Sequence, residues 1–188
     1  FFNLYFGCAT TTFDWKWLRC VPPGGQTSPH YDFVYMGRGS RRLLTCWTPM
    51  GDISPDMGTL ALLLGSHNLE SFRRIRETYG ETDVDTDGTP GSFSNNPLEV
   101  SEEFGGQWLT SSFAAGDVLI FTMHAMHAST RNISDRWRLS FDTRYQPAGE
   151  PMDERWVGKN PIAHNGKQNT RSLSIEEARR EWGLQKER

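Results

Sequence analysis

The sequence predicts a mainly β domain, a sandwich or barrel with little helix, and three observations carry that expectation. Short runs that alternate or stay continuously apolar recur up to residue 146, turns rich in Gly and Pro separate them, and helical spacing surfaces only twice. With 188 residues the chain is long enough to bury a core of its own, and we expect one domain over 1–188, with 147–188 as a C-terminal extension ending in a helix.

Taken in order, residues 14–21 (DWKWLRCV) alternate as a strand does and PPGGQ at 22–26 turns the chain. PHYDFVYM at 29–36 reads as the next strand, followed by a basic turn, GRGSRR. LLTCWTPM at 43–50 and TLALLL at 59–64 are almost continuously apolar, which suits strands covered on both faces. Leu69, Phe72 and Ile75 in NLESFRRIRETY fall at roughly helical spacing. Residues 80–106 are acidic and turn-rich, so a long loop is expected, as a candidate lid. QWLTSSF (107–113), GDVLIFTMHAMH (116–127) and RWRLSFDTRYQ (136–146) are further strands, and Ser174 with Glu177 forms the capping-box pattern of a C-terminal helix.

Composition narrows the function classes. Twenty-three acidic residues against 20 basic ones give a formal charge of −3, which is no footprint for nucleic acid or an anionic membrane. No apolar run approaches the ~20 residues of a membrane span, and no secretory segment is visible. Cys8, Cys20 and Cys46 are far apart and odd in number, which suits reduced thiols in a cytoplasmic protein. The chain begins FFNLYFG without Met, so an N-terminal truncation is expected.

The chemistry concentrates in a few positions. In a strand, side chains at i and i+2 share a face, so His30 and Asp32 project together with Tyr31 opposite. An HxD pair alone is a weak signal, and a metal needs a further ligand. His124 and His127 both offer one; on a regular strand they face opposite sides, and parity alone does not choose between them. After the NISD turn, Arg136, Arg138, Ser140, Asp142 and Arg144 share one face. An arginine turned inward requires an anionic partner, and its planar fork matches a carboxylate.

His30-x-Asp32, Gly58 through LLLGSH, GDVLIFTMHAMHAS, Asn132 and RWRLS together resemble the phytanoyl-CoA dioxygenase family, over residues 24–146. The resemblance implies a double-stranded β-helix, or jelly roll, with flanking helices, and an oxygenase using Fe(II), 2-oxoglutarate and O₂. In that family an arginine follows the distal histidine by eleven residues, the separation of His127 and Arg138. The resemblance therefore favours His127 over His124, and it implies iron ligation by His30, Asp32 and His127. Arg138 would hold the distal carboxylate of 2-oxoglutarate with Ser140 beside it; Thr45 and Trp47 would wall the cosubstrate, and Tyr35 the substrate. Two imidazoles and a carboxylate occupy one face of an octahedral ion and leave three positions open. The implied reaction is hydroxylation of a small molecule with release of succinate and CO₂. Related halogenases carry a small residue in place of the carboxylate, so Asp32 favours hydroxylation. The rival reading is a cupin-like metal-binding or sensory protein without turnover.

Other features read as structural. His67 suits a turn, His124 a supporting role, and His164 lies in a polar stretch without an evident partner. Arg38, Arg41 and Arg42 suit a solvated turn. TDVDTDG lacks the Glu of the twelfth loop position, which excludes an EF-hand.

Overall fold

The computed structural model describes residues 1–164 and 173–184. The end of the expected C-terminal helix (185–188) and part of the C-terminal extension (165–172) lie outside the described residues. Eight strands and five α-helices follow in the order α1 (Phe2–Phe6), β1 (Thr10–Thr12), β2 (Trp17–Val21), α2 (Phe33–Met36), β3 (Leu44–Pro49), β4 (Leu60–Leu64), α3 (Arg73–Glu77), α4 (Pro97–Phe104), β5 (Gln107–Thr110), β6 (Leu119–Thr122), β7 (His127–Ser129), β8 (Arg138–Pro147) and α5 (Ile175–Glu181).

The strands form two antiparallel sheets, which is the jelly roll with flanking helices that the resemblance implied. The larger has the order β1-β8-β3-β6, with β2 also on β8; the smaller has the order β5-β4-β7. β3 is buried along nearly its whole length because β8 and β6 flank it, which explains the unbroken apolar run. Trp47 of β3, Phe121 of β6 and Leu60 of β4 pack with Ile53 and Met57 in one cluster, so this part of the core lies between the two sheets. A second cluster seats the helices on the smaller sheet: Ile75 of α3, Val100 of α4 and Ala178 of α5 meet Leu63, Phe72, Tyr79, Phe93 and Trp182.

Long β8 determines what the larger sheet presents inward. Arg138, Ser140, Asp142, Arg144 and Gln146 are all buried, while the residues between them are exposed or half-buried. A strand whose covered face is entirely polar is not packing a core, and it marks where a site is built. Arg136, expected on the same face, precedes the strand and is exposed.

Three expectations are corrected. PHYDFVYM is not a strand: His30 makes a single bridge to His127, and Phe33–Met36 is a helical turn beginning after Asp32. Anchoring overrides the local strand propensity, since the Tyr31 hydroxyl donates to the Ser66 carbonyl at 2.8 Å and the Phe33 amide donates to the Met123 carbonyl at 3.3 Å. Residues 116–127 are two pieces, because β6 belongs to the larger sheet and β7 to the smaller one. Between them Ala125 N–H donates to Thr122 O at 3.0 Å in a turn, so strand parity does not carry across to His127. The stretch 80–106 is not a structureless loop. It contains α4, capped by the Asn96 side chain, and Phe93 is fully buried with its amide donating to Pro29 O at 2.8 Å. Two short elements near the N-terminus, α1 and β1, were not expected; β1 pairs with the end of β8. The Ser174–Glu177 capping box opens α5 as expected. Among the described residues no helix is long and apolar enough to cross a membrane.

Candidate metal centre

His30 and His127 face one another across the bridge that extends the smaller sheet, with ring centroids 4.1 Å apart. Asp32, two residues on, turns its carboxylate between them: Oδ1 lies 3.7 Å from Nε2 of each imidazole. One potential ligand atom from each residue falls within 4.8 Å of the others, and all three residues are buried. Among the described residues this is the one His, Cys, Asp and Glu cluster of that kind.

Backbone carbonyls settle the imidazole tautomers. Nδ1 of His30 is 2.8 Å from Ser28 O, and Nδ1 of His127 is 3.0 Å from Ala125 O. A carbonyl only accepts, so each Nδ1 carries a proton and each Nε2 is the ring atom turned toward Asp32. Burial and the neighbouring His30 ring pull the His127 pKa down to about 3, which keeps this ring neutral. For Asp32, burial pushes upward, but the Arg144 guanidinium beside Oδ2 leads the effects that outweigh it and hold the carboxyl well below its ordinary range. Two imidazoles that turn Nε2 inward and one ionised carboxylate are the donor set of a 2-His-1-carboxylate metal site, so the residues present fit an iron ion.

The second carboxylate oxygen of Asp32 is already engaged. Thr45 Oγ1 donates to Oδ2, and Arg144 Nη2 lies 3.0 Å from the same atom in an ion pair. The Thr45 hydroxyl is thus turned to Asp32. Arg144 is completely buried, seated on the Trp17 ring at 4.8 Å with Nε 3.0 Å from the Met36 sulfur. Its Nη2 is also 3.8 Å from Asp142, which pairs in turn with Arg19.

Arg138 is different. It is 2% exposed, its Nη1 donates to Ser140 Oγ at 2.7 Å, and its guanidinium lies 5.9 Å from the centroid of the Trp47 ring. Its Nε has no hydrogen-bond partner, and no carboxylate of the described residues forms an ion pair with it. Burial pulls its pKa down to about 10, against the raising effect of Asp142. Around the inward face of β8, Asp32 and Asp142 are matched by Arg144 and Arg19, and Arg138 is the cation left over.

A cavity of ≈ 260 Å³ opens beside the triad, where Trp17, Arg19, Thr27, Tyr35, Ser92 and His164 join His30 and Asp32 in its walls. Tyr35 stands edge-on to His30 at 5.5 Å. Arg138, Ser140, Thr45 and Trp47 do not line that space; Arg138 and Ser140 sit one strand over, opposite Val21 and Arg19 of β2. His164 was missed. It is 2.9 Å from Asp85, which is itself tied to buried Arg155 at 2.5 Å, and its ring packs on Trp156 at 4.8 Å. Asp85 lies 79 residues back along the chain, beyond any local pattern. His124 is half-buried against Phe33 and stays outside the triad; His67 is an exposed turn residue.

Comparison with known proteins gives three findings. The family model for phytanoyl-CoA dioxygenase (PhyH) matches residues 5–140. A 1-deoxypentalenic acid 11-beta-hydroxylase of Streptomyces exfoliatus is 34% identical over 139 residues, covering 67% of this chain and 43% of that protein. Among solved structures, the epimerase SnoN in complex with Fe3+, alpha ketoglutarate and nogalamycin RO superposes with a TM-score of 0.60 at 22% identity, covering 86% of this chain and 63% of that one. EctD from S. alaskensis with 2-oxoglutarate and 5-hydroxyectoine gives 0.58 at 17% identity, over 92% and 57% of the two chains. The chain spans less than half the length of the curated relative and under two thirds of these structures.

Proposed function

This chain belongs to the phytanoyl-CoA dioxygenase family, and we propose from that premise that it is an Fe(II)- and 2-oxoglutarate-dependent dioxygenase that hydroxylates a small molecule. The observation that carries the reading is Arg138, a buried guanidinium without an ion-pair partner among the described residues, on the same inward face of β8 as the Arg144 that reaches the metal-ligand set. A buried charge left uncompensated costs several kcal/mol, so such a residue persists where a ligand supplies the missing charge.

In this reading His30, Asp32 and His127 hold the iron through two Nε2 atoms and Asp32 Oδ1. Arg138 receives the distal carboxylate of 2-oxoglutarate, Ser140 steadies the guanidinium and stands as a second donor, and Trp47 forms the apolar floor. Bound there, iron and its cosubstrate supply O₂ activation coupled to decarboxylation of 2-oxoglutarate to succinate and CO₂. The chain's own residues position and exclude. Thr45 and Arg144 orient Asp32, and the backbone carbonyls of Ser28 and Ala125 orient the imidazoles. Tyr35, Ser92 and His164 close the cavity in which the substrate's C–H would be presented. A space of ≈ 260 Å³ suits a small substrate. A carboxylate ligand in place of a small residue favours hydroxylation over halogenation. Three free thiols, at Cys8, Cys20 and Cys46, support a reducing, cytoplasmic setting.

Anaerobic titration of the metal-free protein with Fe(II) and then 2-oxoglutarate tests this. We expect the weak visible charge-transfer band of the ternary chelate, diminished by Asp32→Ala. Tight Fe(II) binding with no band at saturating 2-oxoglutarate would refute the dioxygenase reading and leave a metal-binding protein.

A further inference from the structure

We infer that Arg144 is a positioning residue that makes Asp32 bind its metal through one oxygen only. The inference rests on the reading of His30, Asp32 and His127 as metal ligands. A free carboxylate can embrace a cation with both oxygens. In this protein the two oxygens of Asp32 have different surroundings. Oδ1 faces Nε2 of both imidazoles at 3.7 Å, whereas Oδ2 receives the Thr45 hydroxyl and lies 3.0 Å from Arg144 Nη2.

The guanidinium has no freedom to retreat. It is fully buried, its plane sits on Trp17 at 4.8 Å, Nε reaches the Met36 sulfur at 3.0 Å, and Nη1 reaches Thr143 O at 3.4 Å. β8 delivers it, since Arg144 pairs with Thr45 across β3 and the two side chains converge on one carboxylate oxygen. The consequence is a count of open positions. Two imidazoles and one carboxylate oxygen leave three of six sites on an octahedral ion, enough for a two-point chelate and one further ligand. A second oxygen from Asp32 would take one of these and compete with the chelate.

The test is Arg144→Met, in two measurements. The first is the infrared spectrum of Zn(II)-loaded protein carrying ¹³C-carboxylate aspartate, because the separation of the two carboxylate stretches distinguishes one-oxygen from two-oxygen binding. Wild type should show the former and Arg144→Met the latter. The second is the anaerobic titration. Fe(II) affinity should stay within about threefold, while the 2-oxoglutarate needed for half the band should rise at least tenfold. Arg144→Lys, a single donor on a shorter reach, should fall between the two, and it carries the test if Arg144→Met does not fold. Identical carboxylate spectra in wild type and variant would overturn the inference, as would Fe(II) and 2-oxoglutarate affinities falling in the same proportion. Absence of the band in wild type would refute the dioxygenase reading, and the infrared comparison would still decide the role of Arg144.

Discussion

Replacing Arg138 by Met should raise stability and abolish cosubstrate binding, two effects of opposite benefit from one side chain. The stability effect follows from the lowered pKa. A cation whose folded pKa lies below its unfolded value is a full penalty on folding at every pH below the folded value; the penalty fades between the two values and is gone above the unfolded one. A drop from the ordinary arginine value to about 10 corresponds to a penalty on the order of 3 kcal/mol, at ~1.4 kcal/mol per unit. Against this, the variant loses the hydrogen bond to Ser140, worth ~1 kcal/mol, and part of the stacking on Trp47, worth ~0.5–1 kcal/mol. A net gain of about 1 kcal/mol remains, or a Tm higher by roughly 2–4 °C for a domain of this size. Cosubstrate affinity moves the other way. Two parallel charge-assisted bonds to a carboxylate are worth ~3–6 kcal/mol, so the 2-oxoglutarate Kd should rise by roughly 10²–10⁴. Fe(II) binding should be unchanged. Thermal unfolding by circular dichroism, Fe(II) titration and the anaerobic 2-oxoglutarate titration together read all three. A lower Tm would mean that Arg138 is already compensated in the folded protein, and retained 2-oxoglutarate affinity would mean that it is not the carboxylate site.

Arg155→Met should do the reverse to stability. That guanidinium is buried but fully matched by Asp153, Asp85 and Asp83, and its loss strands the completely buried Asp153, so we expect a loss of ~3–5 kcal/mol in denaturant unfolding; a change under ~1 kcal/mol would show the carboxylates relieved by solvent. Ser66→Ala should cost ~1–3 kcal/mol, because the hydroxyl accepts from Met126 N–H at 2.8 Å and donates to Leu63 O at 2.7 Å beneath the turn that leads into His127. Weaker Zn(II) binding should accompany that loss, and metal affinity equal to wild type would mean that the turn does not set the His127 position.

The chain's local patterns determined a good deal. Apolar runs located β3 and β4, alternation located β2 and β8, and the Ser174–Glu177 box located α5, because each signal is carried by neighbours within one element. The shared face of Arg138, Ser140, Asp142 and Arg144 was legible for the same reason, since a pleated strand enforces its period of two, though Arg136, read onto the same face, precedes the strand. His30 and Asp32 were rightly placed together but for the wrong reason. They converge because a bridge to His127 and a helical turn set their directions, and no strand joins them. His127 over His124 came from the family spacing; geometrically it depends on a turn that passes the chain from one sheet to the other. Which buried arginine is free was beyond the sequence altogether. Arg138 and Arg144 lie on the same face of the same strand, and only the tertiary structure brings Asp32 to one of them and leaves the other without an anion. The same holds for His164, whose place in the cavity wall depends on Asp85, itself held by Arg155, meeting it from a distant part of the chain. Charge pairing acts through space at a few ångströms, and residue spacing along the chain carries no record of it.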